Sequence, residues 1–402
     1  MRRPSDVLKN VGGVAPVAVE DEDEESLDTR SGEASYGVAR HLTKGEDMFK
    51  VSKKKKNKSV VYGVFDGHGG SRLAKALSEQ LPQRLLRGPT VDAFFDVDAE
   101  LGPQHENEGS TATCAVVERE SPSRATVEVS WVGDSRAIAV EMLDPARPLC
   151  FETALHHVSN AAEIDRLERQ WGARDGADDD DDLMKRSRDY ERRVAACQPA
   201  AFVRQKSIVA RRRDATGAAT GPLVVQALWA PTDDPGNLIR GASTCVTRAI
   251  GDWDSSRGLI PYPDVATHAV EAPAWRRYVL ATDGLWDVVA PDKARKVVAS
   301  YADPQRAAQA LLRRARKRYA RINAAADPFA DDTTVLVFDV KLGTPDFVKP
   351  KRAAIFSCIP SKHSQTTLDQ LLDYSSSSSS RRSSADSSSP REPGKPKPPT
   401  SL

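Results

Sequence analysis

The sequence lacks the long apolar runs that a membrane helix requires. No stretch of about 18 apolar residues occurs among its 402 residues, so no membrane span is expected. The start, MRRPSDVLKN, has two arginines but no apolar segment behind them, which argues against a secretory signal. Arg2 stands where N-myristoylation would need glycine. Cysteine is sparse: Cys114, Cys150, Cys197, Cys245 and Cys358 are scattered, with no C-x-x-C spacing. That excludes a zinc ribbon or a disulfide framework and favours a reducing compartment, cytoplasmic, nuclear or both. Charge of one sign is also missing. With 58 basic and 57 acidic residues the net charge is +1, so no nucleic-acid partner is implied. The 39% of hydrophobic residues suffices for one large domain or two small ones.

Both ends differ in composition from the middle. Residues 1–34 are polar, with an acidic cluster at Glu20–Glu25, and read as a disordered leader. Residues 342–402 are rich in Ser, Pro and Lys/Arg and read as a disordered tail. Arg381-Arg382-Ser383-Ser384 fits either a basophilic kinase site or plain tail. Lys53–Lys56 and Lys349–Arg352 fit nuclear addresses or solvated segments. Between the ends, leucines 73, 77, 81 and 85 form a helical stripe in which Pro82 predicts a kink or a break. Residues 91–101, 161–171, 293–301 and 305–322 read as further helices. Ala125–Val132 alternates at period two, turns at Gly133-Asp134-Ser135-Arg136 and resumes at Ala137, the pattern of a hairpin with Asp134 at its tip. From 172 to 222 an acidic block (Asp178–Asp182) and a basic one (Arg211–Arg213) interrupt every period, predicting a partly mobile surface insertion; order returns at Pro222–Ala230, inside an insertion bounded at 172–240. The acidic block lacks the glycine and terminal glutamate of a calcium-binding loop.

The centre of the sequence is Val60–Gly70, VVYGVFDGHGG. A short β-branched apolar run closed by glycines reads as a strand buried on both faces. It ends on Asp66, where a rigid strand would hold a metal ligand well, with His68 nearby as an acid or base. An ordinary hairpin turn fits the same residues. Other acids share the placement: Asp283 ends an apolar strand, Asp134 tips a turn, and Asp331-Asp332 precede the final strand. If those strands lie side by side, their carboxylates converge and repel one another, and hard divalent cations remove that cost. All-oxygen ligation favours Mg²⁺ or Mn²⁺ over zinc. Two such ions about 3.5–4 Å apart can activate a bridging water for in-line attack at phosphorus.

The motifs GED at 45–47, VFDGHGG at 64–70, GSTAT at 109–113, VGDSR at 132–136, VTRAIGD at 246–252, ATDGLWDVV at 281–289 and DDTTVLVFDV at 331–340 occur in one order. That series resembles the metal-dependent Ser/Thr protein phosphatases of the protein phosphatase 2C (PPM) family, over about residues 35–341. The resemblance implies an α+β fold, a four-layer α-β-β-α sandwich of two antiparallel sheets flanked by helices. It implies two Mg²⁺ or Mn²⁺ ions, with a third in a weaker site, and phosphorylated protein substrates met by a monomer. Carried over, Asp66 would bridge the metals with the Gly67 carbonyl on one of them, and Asp283 and Asp331 would complete the other site. Glu46 and Asp47 match the acidic pair that orders metal-bound waters. His68 matches the general acid, Asp134 and Asp287 the third-metal site, and Asp252 a supporting position.

One departure concerns the phosphate. The family places an arginine shortly before the acidic pair, whereas here the spacing is tighter and Arg40 or Lys44 must serve. Lysine lacks the planar fork that grips two oxygens. The region holding the insertion is where family members carry a variable flap, so the insertion either gates substrates or is neutral. Two further functions fit parts of the pattern: a catalytically silent scaffold that regulates kinases, and a hydrolase of small phosphoesters.

Overall fold

The computed structural model describes residues 36–54, 59–105, 107–172, 182–197, 202–211, 223–231, 239–253, 259–322 and 331–343. The leader, most of the lysine run and the tail lie outside these residues. The chain opens with strands β1 (Tyr36–His41), β2 (Met48–Lys54), β3 (Ser59–Phe65) and the short β4 (Gly67–His68). Helices α1 (Arg72–Leu85) and α2 (Thr90–Leu101) follow, then β5 (Gly109–Ser110), β6 (Ala112–Ser121), β7 (Arg124–Val132), β8 (Arg136–Glu141) and β9 (Phe151–Glu152). Helices α3 (Ala161–Gly172) and α4 (Asp182–Cys197) lead to β10 (Phe202–Arg211), β11 (Leu223–Pro231), β12 (Ile239–Thr244) and β13 (Ile250–Gly251). The last part is β14 (Asp264–Glu271), β15 (Ala274–Ala281), α5 (Asp283–Trp286), α6 (Pro291–Val298), α7 (Pro304–Ile322) and β16 (Thr333–Leu342).

Two five-stranded antiparallel sheets carry the fold, in the orders β1-β16-β15-β8-β9 and β14-β7-β6-β3-β2. Each strand's alternation assigns its side chains to two layers. Tyr62 and Val64 of β3 face the other sheet, where Tyr62 stacks on Phe338 at 4.0 Å between ring centroids. Val61 and Phe65 face the opposite way, against Leu73, Leu77 and Phe94 of α1 and α2. On the second sheet Val279, Ala281, Val335 and Val337 pack under α6 and α7. The four-layer α-β-β-α sandwich follows from those three apolar layers. Arg277 and Asp339, both without exposed side-chain surface, pair at 2.7 Å inside it. The remaining guanidinium donors go to the carbonyls of Val298, Tyr301 and Ala302, which ties the α6–α7 connection to the sheet.

Three expectations change. First, β7 and β8 do not form a hairpin: both edges of β7 are taken by β6 and β14, and β8 pairs with β15 and β9 in the other sheet. Gly133 to Ser135 therefore carry the chain between sheets, with Gly133 at φ +91° and no room for a Cβ against Thr111. Second, Pro82 does not break α1. It lies in the last turn, where its missing N–H removes only the bond to the Ser78 carbonyl. Third, α4 and β10 lie inside the 172–222 stretch that reads as aperiodic, whereas β11 falls where the apolar run from Pro222 already marks a return of order. Met184, Tyr190 and Val194 are buried at helical spacing, with Tyr190 and Val194 against Phe95, Trp253 and Ile260. Dense Arg, Lys and Asp between them hid that stripe.

A buried charge network holds the 246–252 segment. Arg248 donates to both carboxylate oxygens of Glu163 on α3, at 2.6 and 3.1 Å, and to Asp264 at 2.8 Å. Burial works against the Glu163 carboxylate, but Arg166 and Arg248 outweigh it and hold its pKa down to about 2. Burial lowers Arg166 in spite of Glu163, whereas Arg248, with Asp264 as a second acidic partner, is raised in spite of burial. A folded value below the ordinary 4.5 means stabilisation present in full above that pH and lost as pH falls through about 2. Glu163→Gln should therefore cost about 3 kcal/mol at neutral pH. In urea unfolding the gap to wild type should close between pH 4.5 and about 2. A gap independent of pH would assign the loss to packing instead.

Candidate metal centre

The acidic residues meet at one end of the sandwich, where strands of both sheets terminate. They come from both sheets: Asp66 follows β3 of one, whereas Asp283 follows β15 and Asp331 precedes β16, neighbouring strands of the other, and Asp134 sits in the crossing between sheets just before β8. Asp66 is held by Thr111, whose hydroxyl accepts its N–H at 3.1 Å and whose N–H donates to its carbonyl at 2.9 Å. Gly67 and His68 pair with Ser110 and Gly109. A Cβ on Gly67 would stand 2.8 Å from the Glu46 carbonyl, so the acidic loop at 45–47 packs directly on this turn.

That loop is organised by Asp332. Its Oδ1 accepts the N–H groups of Thr43 at 2.5 Å, Lys44 at 2.6 Å and Gly45 at 3.2 Å. Its Oδ2 accepts those of Glu46 at 2.6 Å and Asp47 at 3.1 Å. Burial alone would raise the Asp332 pKa, but these donors outweigh it and lower it. The Thr282 hydroxyl then donates to Asp47 Oδ2 at 2.9 Å and accepts the Thr334 N–H at 2.9 Å, joining the loop to β15 and β16. Asp47 is fully buried, and burial pushes its carboxyl up to about 6. The Thr334 hydroxyl lies near, but neither it nor Asp47 Oδ1 makes a protein hydrogen bond of normal geometry.

Asp66, Asp134, Asp283 and Asp331 each keep part of their surface open, in a recess where protein crowds out most water. Burial, then Asp283, Asp47 and Asp134, raise Asp66 well above the carboxylate range. Burial, then Asp134, Asp287 and Asp331, do the same to Asp283. Asp134 and Asp287 are also raised, with His157 beside both opposing the shift. Among the described residues no three acidic, His or Cys side chains already stand in a closed ligating set. One of the carboxyls is instead paired with Lys44, whose Nζ is 2.7 Å from Asp331 Oδ2. Mutually repelling oxygens in a recess, with an orphaned oxygen on Asp47, are a donor set that fits hard divalent cations.

His68 and the two basic candidates are placed differently from one another. His68 Nε2 lies 2.8 and 2.9 Å from the two Asp252 oxygens. Burial opposes its charge, but Asp252, then Asp134 and Glu46, outweigh it and raise its pKa to about 9. The ring keeps 37% of its side-chain surface in solvent, so water screens part of that attraction. Lys44 reaches the cluster: burial lowers its pKa, but Asp331, Glu46 and Asp66 outweigh this and raise it. Arg40 donates to the Asp47 carbonyl and lies over the Phe49 ring at 5.3 Å, bracing the loop.

The protein phosphatase 2C family model matches residues 37–176 and 241–324. The chain belongs to the protein phosphatase 2C family. Membership places it among the serine/threonine protein phosphatases and implies phosphoprotein substrates and dependence on Mg²⁺ or Mn²⁺. The probable protein phosphatase 2C 45 of Oryza sativa subsp. japonica is 26% identical over 307 residues, covering 72% of this chain and 85% of that protein. The probable protein phosphatase 2C 59 of Arabidopsis thaliana is 25% identical over 308 residues, covering 72% and 77%. A serine-threonine phosphatase 2C from Toxoplasma gondii shares the fold at a TM-score of 0.51 and 18% identity, over 77% of this chain and 96% of that one. The family match skips residues 177–240, where α4, β10 and β11 lie.

Sequence reading placed Asp332 beside Asp331 at a strand end without its role in the loop, and assigned no role to Thr282, His157 or Asp98. For Asp332 the signal was present in the doubled acid, since two adjacent carboxylates on a strand end face opposite ways. Asp283→Asn offers a test of the donor set. Removing one of several repelling carboxylates should raise the melting temperature of metal-free protein while abolishing the rise that Mn²⁺ gives wild type. A retained Mn²⁺ shift would place the metal elsewhere.

Proposed function

We propose that this chain is an active Mg²⁺- or Mn²⁺-dependent phosphatase of phosphoserine and phosphothreonine in proteins, using two ions and His68 as general acid. One observation carries the reading: four carboxyls from both sheets crowd one recess, where Asp66 and Asp283 are raised by burial and by neighbouring carboxylates, beside a histidine held by its own carboxylate. Asp66, the Gly67 carbonyl, Asp283 and Asp331 would hold the two ions, with Glu46 and Asp47 behind them and Asp134 and Asp287 at a third. Bound there, divalent cations supply an acidified water and neutralise charge on the phosphoryl oxygens. Lys44, half exposed at the mouth of the recess, would hand its charge from Asp331 to the substrate phosphate as Asp331 takes a metal. Arg40 would support the loop. His68 would give its proton to the leaving serine or threonine oxygen. A reducing compartment, cytoplasm or nucleus, accords with the scattered thiols, of which Cys114 and Cys150 are free among the described residues, and the chain would act as a monomer.

Phosphate release from a phosphothreonine peptide tests this directly. Release should require Mn²⁺ or Mg²⁺, stop with EDTA, and fall to below about 1% in Asp283→Ala. Lys44→Ala should raise KM about tenfold, the worth of one charge-assisted hydrogen bond, with a smaller effect on kcat. No release by folded, metal-loaded protein would favour a non-catalytic binding role.

A further inference from the structure

Three separate features bring a carboxylate against the His68 ring. Asp252 is buried and adopts φ +57°, the one positive φ outside glycine among the described residues. Such a backbone costs of order 1–3 kcal/mol and persists only where its surroundings enforce it. Here the surroundings do so. The Asp252 N–H donates to the Glu108 carbonyl at 3.0 Å, and the Glu108 carboxylate is itself pinned by Arg72 and by the Leu73 N–H at the start of α1. On either side of Asp252, Gly251 N–H and Trp253 Nε1 donate to the buried Asp98 of α2, at 2.7 and 3.0 Å. Tyr190 of α4 also bonds Asp98, so the insertion helix reaches the same anchor. Gly109 completes the arrangement: a Cβ there would stand 2.2 Å from His68 Nε2 and 2.4 Å from Asp252 Oδ2.

We infer that Asp252 is a positioning residue for the reaction, fixing the His68 ring so that one nitrogen stays bonded to Asp252 while the other delivers the proton. The inference rests on His68 being the general acid. A carboxylate accepts and does not donate, so the Nε2 proton is the shared one. In the imidazolium, Nδ1–H is then the proton free to move. It passes to the serine or threonine oxygen as the P–O bond breaks, leaving neutral imidazole with Nε2–H still on Asp252.

Asp252→Asn is the variant of choice, because asparagine tolerates a positive φ. A general acid is worth about 10²–10⁴-fold, and Asp252→Asn should lose roughly 10- to 100-fold in kcat/KM on a phosphothreonine peptide. On nitrophenyl phosphate, whose leaving group needs little protonation, the loss should stay below about threefold. The Mn²⁺-induced melting shift should survive, and adding Asp252→Asn to His68→Ala should cost nothing more. Gly109→Ala, wedging the pair apart from the other side, should give the same substrate split. Ring ¹⁵N spectra at fixed pH should show the Nε2-protonated form in wild type and lose it in Asp252→Asn, whether or not the protein turns over. Equal losses on both substrates, an additive double variant, or an unchanged ring spectrum overturns the inference. Equal losses in His68→Ala itself would instead sink the general-acid assignment, and the ring spectrum would still decide whether Asp252 orients His68.

Discussion

The carboxylate of Asp332 is the contact on which the metal centre depends. It gathers five consecutive backbone N–H groups, from Thr43 to Asp47, around a residue nearly three hundred positions later in the chain. A carboxylate taking several backbone donors is held ionised and in one orientation. The loop so fixed places Glu46 and Asp47 behind Asp66, lets Gly67 pack against the Glu46 carbonyl, and sets Lys44 against Asp331. The shortened spacing before Glu46-Asp47 leaves a turn tight enough for one side chain to satisfy.

Around that contact the two sheets are brought end to end with their acids. The apolar layer between them, led by Tyr62, Tyr278 and Phe338, fixes how the strand ends face each other, and the carboxyls follow. Like charges in a crowded recess are destabilising unless a proton or a cation compensates. The Lys44–Asp331 pair is one compensation the protein itself supplies, and His157 beside Asp134 and Asp287 is another. Both involve the residues that the family resemblance makes metal ligands. Stability and function thus pull against each other at the same atoms.

Much of this was legible in residues alone. The alternation of β3, the stripe of α1, and acids standing where apolar runs stop were enough to suggest a carboxylate cluster and hard cations. Other parts were not. The hairpin expected around Asp134 failed because pairing depends on which edges are free, and β6 and β14 already occupied both edges of β7. The insertion looked aperiodic because charged residues surround its buried Met184, Tyr190 and Val194. Asp98 and Glu108 carried no signal at all, since each acts through backbone groups far away in sequence.

The sequence by itself determined the family, the layered architecture and the kinds of atoms at the site, because periodicity and ordered motifs are local properties of a chain. Tertiary structure decided which basic residue meets the cluster, which of two adjacent acids organises a loop, and which carboxylate holds the histidine. Those choices turn on distances between segments that only packing brings together. Arg40 and Lys44 are four positions apart and equally basic, yet one braces Asp47 and Phe49 while the other reaches Asp331. Asp252 matches only an unspecified supporting position in the sequence until its backbone, bent to a positive φ between Asp98 and Glu108, puts both oxygens on His68.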